Sequence, residues 1–197
     1  DFLLNGTVTN PINMAAVSAE EAPKLRPYLK LAEQLGSFAG QIAESTIHGV
    51  HIEYEGLAAE LNTKPLTAAI LHGLFSPLYE GVNLVNAPFF ARERDIAVSE
   101  EKHPTTSDYQ TLVRITVRKE ARDRTVAGTI VGGKPRLVEI EGIALEAEMI
   151  GNMLMIRNTD RPGMVGNLGK TIGDAGINIA TFFLGRKSAG CDAIALL

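Results

Sequence analysis

The sequence of 197 residues predicts an α+β fold built from two units. Apolar residues recur at helical spacing over residues 25–42 and 65–74, ahead of short alternating segments between residues 109 and 149. Alternating strands separated by turn residues are typical of an antiparallel meander, and helices that precede a meander pack on its sheet. After Gly151, the order strand, helix, strand, strand predicts the first two thirds of a ferredoxin-like βαββαβ module, truncated before its last helix and strand.

The first domain, residues 18–149, is expected to open with an amphipathic helix. Ser18 followed by Glu21 has the spacing of a capping box. Because a proline removes a hydrogen-bond donor and clashes one turn back, Pro23 and Pro27 predict a first turn that is kinked or separate. Alternation over residues 50–55 then predicts a half-buried strand.

The remaining elements follow from local signals. A second helix is expected to start beside Pro65, since a proline in the first turn loses no hydrogen bond. Further strands of the first domain are predicted at 82–85, 96–99, 109–117, 126–131, 137–140 and 143–149, with a short helix at 88–95. The second domain, residues 150–197, is predicted to have strands at 153–156, 177–184 and 191–197 and a helix at 164–175 that ends at Gly176.

Composition and charge exclude several classes of function. The formal charge is −4, and the 19 basic residues are scattered, so no footprint for nucleic acid is expected. No run approaches the roughly 18–20 apolar residues of a membrane helix, so no membrane partner is expected. A single cysteine, Cys191, excludes an internal disulfide framework and, together with the lack of a leader, predicts a cytoplasmic protein.

The sequence has no motif for catalysis, a cofactor or a metal. The glycines at 163–166 lack the lysine and the spacing of a nucleotide loop, and no dinucleotide fingerprint is present. His48 and His51 lie three residues apart, so on a strand they point to opposite faces and cannot share one ion. We therefore predict no catalytic residue, no metal site and no cofactor in this chain.

The turn at residues 158–163 is the candidate binding site. It places Asp160 at the entrance of a helix whose first N–H groups lack partners. A small zwitterion suits this arrangement, with its carboxylate on the amides of Met164 and Val165, its ammonium on Asp160, and Asn178 just past the helix. The alternative is that Asp160 caps its own helix and Asn178 lies in a turn, and spacing alone favours this alternative.

Motifs in both domains resemble a known enzyme family. Residues 160–163 (DRPG) and 174–180 (DAGINIA) closely resemble the ACT domain of D-3-phosphoglycerate dehydrogenases. Residues 62–67 (NTKPLT) and 82–88 (VNLVNAP) resemble the intervening "allosteric substrate-binding" domain of the long form of that family. With residues 6–18 and 126–129, the resemblance runs in fixed order through nearly the whole sequence.

The resemblance implies a regulatory fragment of an NAD-dependent enzyme of serine biosynthesis, with residues 1–17 as the tail of a catalytic region. The catalytic and NAD-binding domains would lie outside this sequence, so the fragment is expected to have no dehydrogenase activity alone. In such enzymes L-serine binds between two ACT domains and inhibits the distant catalytic site, and both domains form a homo-oligomer. The positions that match the serine contacts are Asn158, Asp160, Met164, Val165 and Asn178.

Some relatives also bind a phosphorylated effector through basic residues near the end of the meander. Here that stretch contains Glu146 and Glu148, which repel a phosphate, and only Arg136 is basic. We name Lys64 and Arg136 as a possible anion site, although a solvated lysine at a helix start is an equally good interpretation of Lys64.

Two other functions stay open at this point. The chain resembles, more distantly, the regulatory part of a bacterial L-serine dehydratase, but the motifs at 62–66 and 82–88 argue against it. It could also be an assembly module that binds no ligand. Calorimetry with L-serine separates these functions.

Overall fold

The computed structural model describes residues 21–43, 46–105, 108–149 and 151–197. The expected connecting segment at 1–17 and the capping box at Ser18 lie outside these residues. The elements in chain order are α1 (Ala22–Ala43), β1 (Gly49–Gly56), α2 (Thr63–Phe75), α3 (Ala87–Glu93), β2 (Ala97–His103), β3 (Thr111–Arg118), β4 (Arg124–Val131), β5 (Lys134–Ile140), β6 (Ile143–Glu148), β7 (Met155–Thr159), α4 (Met164–Asp174), β8 (Phe183–Arg186) and β9 (Asp192–Leu196). The predicted α+β fold is confirmed.

The first sheet contains six strands in the order β2-β1-β3-β4-β5-β6. The predicted meander is confirmed, because β3 to β6 pair antiparallel with their chain neighbours. β1 pairs antiparallel with β3 and parallel with β2. Parallel neighbours need a crossover connection, which α2 and α3 supply between β1 and β2.

The core of this sheet lies under α1 and α2. Val50, Ile52 and Tyr54 on β1 are fully buried, as their alternation predicts. The two helices approach so closely that a Cβ on Gly36 would lie 2.2 Å from the carbonyl oxygen of Ile70. Only glycine fits there, and the close contact holds α2, and the polar residues at its start, at a fixed place on the sheet.

The structure departs from two local predictions for the first domain. α1 runs as one helix through Pro27, so the first turn is not separate, while the predicted kink stays a prediction. Residues 82–85 form a turn rather than the predicted strand. The Asn83 side chain accepts hydrogen bonds from the N–H groups of Val85 and Asn86, at 2.9 and 3.0 Å, and so satisfies backbone groups that a strand would pair in a ladder.

The second sheet has the order β7-β9-β8 with antiparallel pairing. Gly176 has φ +74°, as expected for a residue that ends a helix. β8 starts at Phe183, so the predicted strand start at residue 177 is wrong, and residues 177–182 are irregular. Ile194 and Leu196 share one hydrophobic cluster with the first sheet, and the proposed boundary at residue 150 stays a prediction.

Among the described residues, no helix combines the length and the apolar character needed to cross a membrane.

Candidate functional site

Asn158 lies on β7 opposite Ala193 of β9, one pair before the end of the ladder between these two strands. Both polar atoms of its side chain, Oδ1 and Nδ2, are buried and have no hydrogen-bond partner within the described residues. Leaving a buried polar group unpaired costs about 1–3 kcal/mol. An amide that bears this cost is a candidate for contact with a ligand.

Asp160 follows the end of β7 and is held from two sides. Its backbone N–H donates to the carbonyl of Cys191 at 2.8 Å, and its Oδ2 accepts from Nη1 of Arg186 at 2.5 Å. The N-cap of α4 is instead Gly163, with φ +87° and no side-chain hydrogen bond. The alternative that Asp160 caps its own helix is therefore wrong, and its carboxylate stays directed toward the sheet.

The same face of the second sheet carries both side chains. Asn158 and Asp160 are two positions apart, and residues at this spacing point to one face of a strand. Arg186 on β8 also pairs with Ala193, which agrees with its contact to Asp160. Ala193 is 1% exposed, so the site has a small buried residue as its floor.

The start of α4 offers backbone donors close to this site. The N–H of Met164 donates to the carbonyl of Arg161 at 3.3 Å, and the first intrahelical bond runs from Asn167 to Gly163 at 2.9 Å. The amides of Val165 and Gly166, which lie between them, have no intrahelical acceptor. Among the described residues, the amides of Val165 and Gly166 thus have no backbone acceptor, while Met164 has one. Sequence reasoning placed the ligand carboxylate on Met164 and Val165 and missed Gly166.

Asn178 lies apart from these residues. It is exposed within the irregular segment 177–182, and within the described part of the chain no hydrogen bond joins it to Asn158 or Asp160. Its predicted place at the start of a strand is wrong, since β8 begins at Phe183. Asn178 is therefore available to a ligand or to a second molecule, but the chain does not fix its side chain.

The possible anion site is not assembled. Arg136 on β5 donates from Nη1 to Oε2 of Glu148 at 2.8 Å, and this hydrogen bond lowers the pKa of Glu148. Lys134 lies 3.8 Å from the other oxygen of the same carboxylate. Lys64 is exposed at the start of α2, whereas Arg136 is on the fifth strand of the sheet, so the two residues belong to different surfaces.

The motif at 62–67 has a structural role. Thr63 and Thr67 donate to the two oxygens of Glu100 on β2, at 2.9 and 2.7 Å. The buried hydroxyl of Tyr54 lies 2.8 Å from that of Thr67, and burial raises the pKa of Tyr54. This network joins α2 to β1 and β2. The hydrogen bonds of this network explain why threonines stand at positions 63 and 67, and no bound ligand is needed to explain them.

A cavity of about 260 Å³ lies where the first sheet meets the second. Glu141, in the turn after β5, is 8% exposed there and accepts from Nη1 of Arg124 at 2.9 Å and from Nη2 of Arg157 on β7. Arg122 and Lys187 also line the cavity. This charged cluster joins residues that are far apart in the sequence, so the sequence alone did not indicate it.

Comparison with known protein families and with individual proteins points to the same enzyme family. The model of the D-3-phosphoglycerate dehydrogenase intervening domain family matches residues 24–141. A D-3-phosphoglycerate dehydrogenase of Methanocaldococcus jannaschii is 36% identical over 189 residues, which are 95% of this chain and 36% of the relative. The Bacillus subtilis protein of that name is 35% identical over 192 residues, 96% of this chain and 37% of the relative.

A third relative, the D-3-phosphoglycerate dehydrogenase of Synechocystis, is 34% identical over an alignment of 200 positions that covers 100% of this chain and 36% of the relative. The chain thus spans little more than a third of the length of these curated relatives. The match to the intervening domain covers more than half of the chain and includes most of α1, all of α2 and five strands of the first sheet. The chain belongs to the family of the D-3-phosphoglycerate dehydrogenase intervening domain.

Proposed function

We propose that this chain is the regulatory part of a D-3-phosphoglycerate dehydrogenase and that it binds L-serine. The serine site comprises Asn158, Asp160 and the amides of Val165 and Gly166. The observation that carries the proposal is the buried Asn158 amide, which has no hydrogen-bond partner among the described residues and lies two positions before Asp160. A ligand hydroxyl would satisfy that amide as both donor and acceptor.

The other groups of L-serine have matching partners. Arg186 engages only Oδ2 of Asp160, which leaves Oδ1 for the ligand ammonium. The free amides at the start of α4, together with the positive end of the helix dipole, suit the ligand carboxylate. Asn178, which is exposed, can approach the ligand from the side of solvent or from a second molecule.

The surface of the second domain supports assembly into a homo-oligomer. No residue of α4 is buried, although its apolar residues form a stripe. Val165 is 47% and Ile177 is 61% exposed, and Leu184 on β8 is 40% exposed. An amphipathic helix with an uncovered apolar side needs a partner surface. A ligand bound between two such modules would favour one subunit arrangement, by a coupling of about 1–3 kcal/mol.

The parent enzyme would be a cytoplasmic oxidoreductase of serine biosynthesis that holds NAD in domains outside this chain. This chain alone would show no dehydrogenase activity. The names of the relatives support this parent over an L-serine dehydratase.

Isothermal titration calorimetry with L-serine tests the proposal, with D-serine as the stereochemical control. Because hydrogen bonds to charged groups contribute about 1.5–3 kcal/mol, we expect Asp160→Asn to weaken binding at least tenfold. Asn158→Ala should also weaken binding. The matched controls are Asp174→Asn, on the exposed face of α4, and Asn152→Ala, in an exposed bend.

Both controls should bind L-serine like the parent chain. Absence of heat with L-serine, together with a retained oligomer in analytical ultracentrifugation, would instead identify a ligand-free assembly module.

A further inference from the structure

A cluster of two histidines and two glutamates lies on the face of β1 and β2 opposite the helices. On β1, His51 and Glu53 alternate with the core residues Val50, Ile52 and Tyr54. We propose that this His51 cluster, formed by His51, Glu53, Glu101 and His103, binds a divalent transition-metal ion such as Zn²⁺. The proposal is independent of serine binding and departs from our sequence-based expectation of no metal site.

The parallel pairing of β1 and β2 builds the cluster. Its register places His51 opposite Ser99, Glu53 opposite Glu101, and Glu55 opposite His103. Directly opposite residues of neighbouring strands point to the same face, and so do residues two apart on one strand. The sequence concealed this arrangement because β1 and β2 are separated by two helices.

The distances suit one shared ion. Glu101 lies between the two imidazoles: its Oε2 is 3.6 Å from Nε2 of His51 and its Oε1 is 3.4 Å from Nε2 of His103. Ligand atoms of His51, Glu53 and Glu101 all lie within 4.8 Å of one another. Ligands in a tetrahedral zinc site are about 3.4 Å apart, given metal–ligand bonds of about 2.1 Å. Small side-chain rotations therefore close the set around an ion.

A supporting hydrogen bond orients the first imidazole. Nδ1 of His51 lies 2.9 Å from Oγ of Ser99, which leaves Nε2 directed at Glu101. Metal-binding histidines commonly use the second ring nitrogen in this way, and the bond fixes the tautomer that can ligate.

The competing partner of Glu53 does not block the site. Nε of Arg114 lies 3.5 Å from Oε2 of Glu53, but Nη1 of Arg114 also donates to Glu139. Glu53 can therefore turn toward an ion while Arg114 keeps a carboxylate partner.

The ligand chemistry selects the class of ion. Imidazole together with carboxylate suits zinc and its neighbours in the first transition row, whereas Mg²⁺ and Ca²⁺ prefer sites made of oxygen alone. Within the described residues β2 is an edge strand whose one neighbour is β1, so an ion held by both strands would fasten this edge to β1.

The chain supplies its own matched controls. It has four histidines, and the two outside the cluster each lie near one carboxylate: His48 is 3.5 Å from Glu120 and His72 is 3.3 Å from Glu33. These pairs have the same chemistry as His51 with Glu101, but within the described residues neither belongs to a group of three ligands. Cys191 is an exposed thiol that can itself bind zinc, so every test uses the Cys191→Ser background.

The experiment is calorimetric titration of the full chain, dialysed against a chelator, with Zn²⁺ alone. We expect one ion per chain. His51→Ala and His103→Ala should each weaken binding at least tenfold, and His48→Ala and His72→Ala should change it less than twofold. Ser99→Ala should weaken it about tenfold by releasing the His51 ring. Glu101→Gln, which keeps the side-chain shape, serves as a second test if a histidine variant unfolds by circular dichroism.

Replacement of Zn²⁺ by Co²⁺ gives an independent readout, since intense visible absorption bands indicate four-coordinate Co²⁺. These bands should disappear in the His51→Ala and Glu101→Gln variants. The proposal is overturned if the Cys191→Ser chain binds no Zn²⁺, or if His48→Ala or His72→Ala weakens binding as much as His51→Ala.

Discussion

Nη1 of Arg186, the last residue of β8, donates to Oδ2 of Asp160, just beyond β7, at 2.5 Å. The side chain of Asp160 is 17% exposed and that of Arg186 is 55% exposed, so the ion pair lies at the edge of the second sheet. The pair ties the carboxylate to β8, and no side chain caps the start of α4. We regard Arg186 as the residue that positions Asp160 for a ligand.

We therefore predict that Arg186→Ala weakens L-serine binding about tenfold. Stability should change by only about 0–1 kcal/mol, because exposed ion pairs contribute little. Calorimetry and urea unfolding measure the two effects. Lys170→Ala, which removes the exposed pair of Lys170 with Asp174 on α4, is the control and should leave both unchanged. Serine affinity that survives Arg186→Ala would rule out the positioning role.

The close contact between α1 and α2 gives a prediction about stability. Gly36→Ala places a Cβ 2.2 Å from the carbonyl oxygen of Ile70, so the helices must separate, and we expect a loss of at least about 3 kcal/mol. Gly169→Ala is the matched control: it too lies within a helix, but nothing lies within 4 Å of the added Cβ. The control should stabilise the chain by about 0.5–1 kcal/mol, since alanine is the better helix former.

Urea unfolding distinguishes these two substitutions. Equal effects of Gly36→Ala and Gly169→Ala would contradict the tight helix packing.

The sequence correctly predicted most helices and strands whose apolar residues recur at a regular spacing. In β1 and α1 this spacing reflects burial on one face, and the local sequence pattern is enough to show it. The strand at 82–85 was mispredicted because Asn83 bonds its own neighbours, an option that β-propensity ignores. The segment at 177–182 was mispredicted because none of its apolar residues is buried, and Ile177 is 61% exposed.

Contacts between segments that are far apart in the chain could not be predicted from the sequence. Residues 158–163 drew attention through their turn motif, yet the tie from Asp160 to Arg186 depends on how β7 and β8 flank β9. His51 was compared with His48, its neighbour in sequence, whereas its spatial neighbour Glu101 comes from a strand beyond two helices. Which side chains of neighbouring strands lie next to each other depends on the register of the strands. A single sequence does not specify this register.

The buried network of Tyr54 predicts a pH dependence at the alkaline end. Burial raises the pKa of Tyr54 in the folded chain above the ordinary value of about 10. The unfolded chain therefore loses this proton first as the pH rises, so stability is complete below pH ~10 and falls above it. Tyr54→Phe should remove part of this loss of stability at alkaline pH. Tyr28→Phe, on α1, is the control and should leave the loss unchanged. Thermal unfolding at a series of alkaline pH values measures the difference.

The same network gives a prediction at neutral pH. Thr67→Val leaves the Tyr54 hydroxyl and one oxygen of Glu100 without their partner, and should cost about 1–3 kcal/mol. Because the two hydroxyls share one bond, the double variant with Tyr54→Phe should lose less than the sum of the single losses. Strict additivity in urea unfolding would show that the hydroxyls do not interact.

Glu141 joins the two sheets through its arginine partners. Its carboxylate is 8% exposed and accepts from Arg157 of the second sheet and Arg124 of the first, although its backbone is held at φ +52°. Glu141→Ala removes the nearly buried carboxylate that the two arginines share, so we expect it to cost about 3 kcal/mol. Arg122→Ala is the control, since Arg122 is 62% exposed at 3.9 Å from Glu141 and should contribute at most about 0.5 kcal/mol. Hydrogen exchange should show faster opening of β7 and β9 in Glu141→Ala alone; unchanged protection there would mean that apolar packing, and not Glu141, fastens the second sheet.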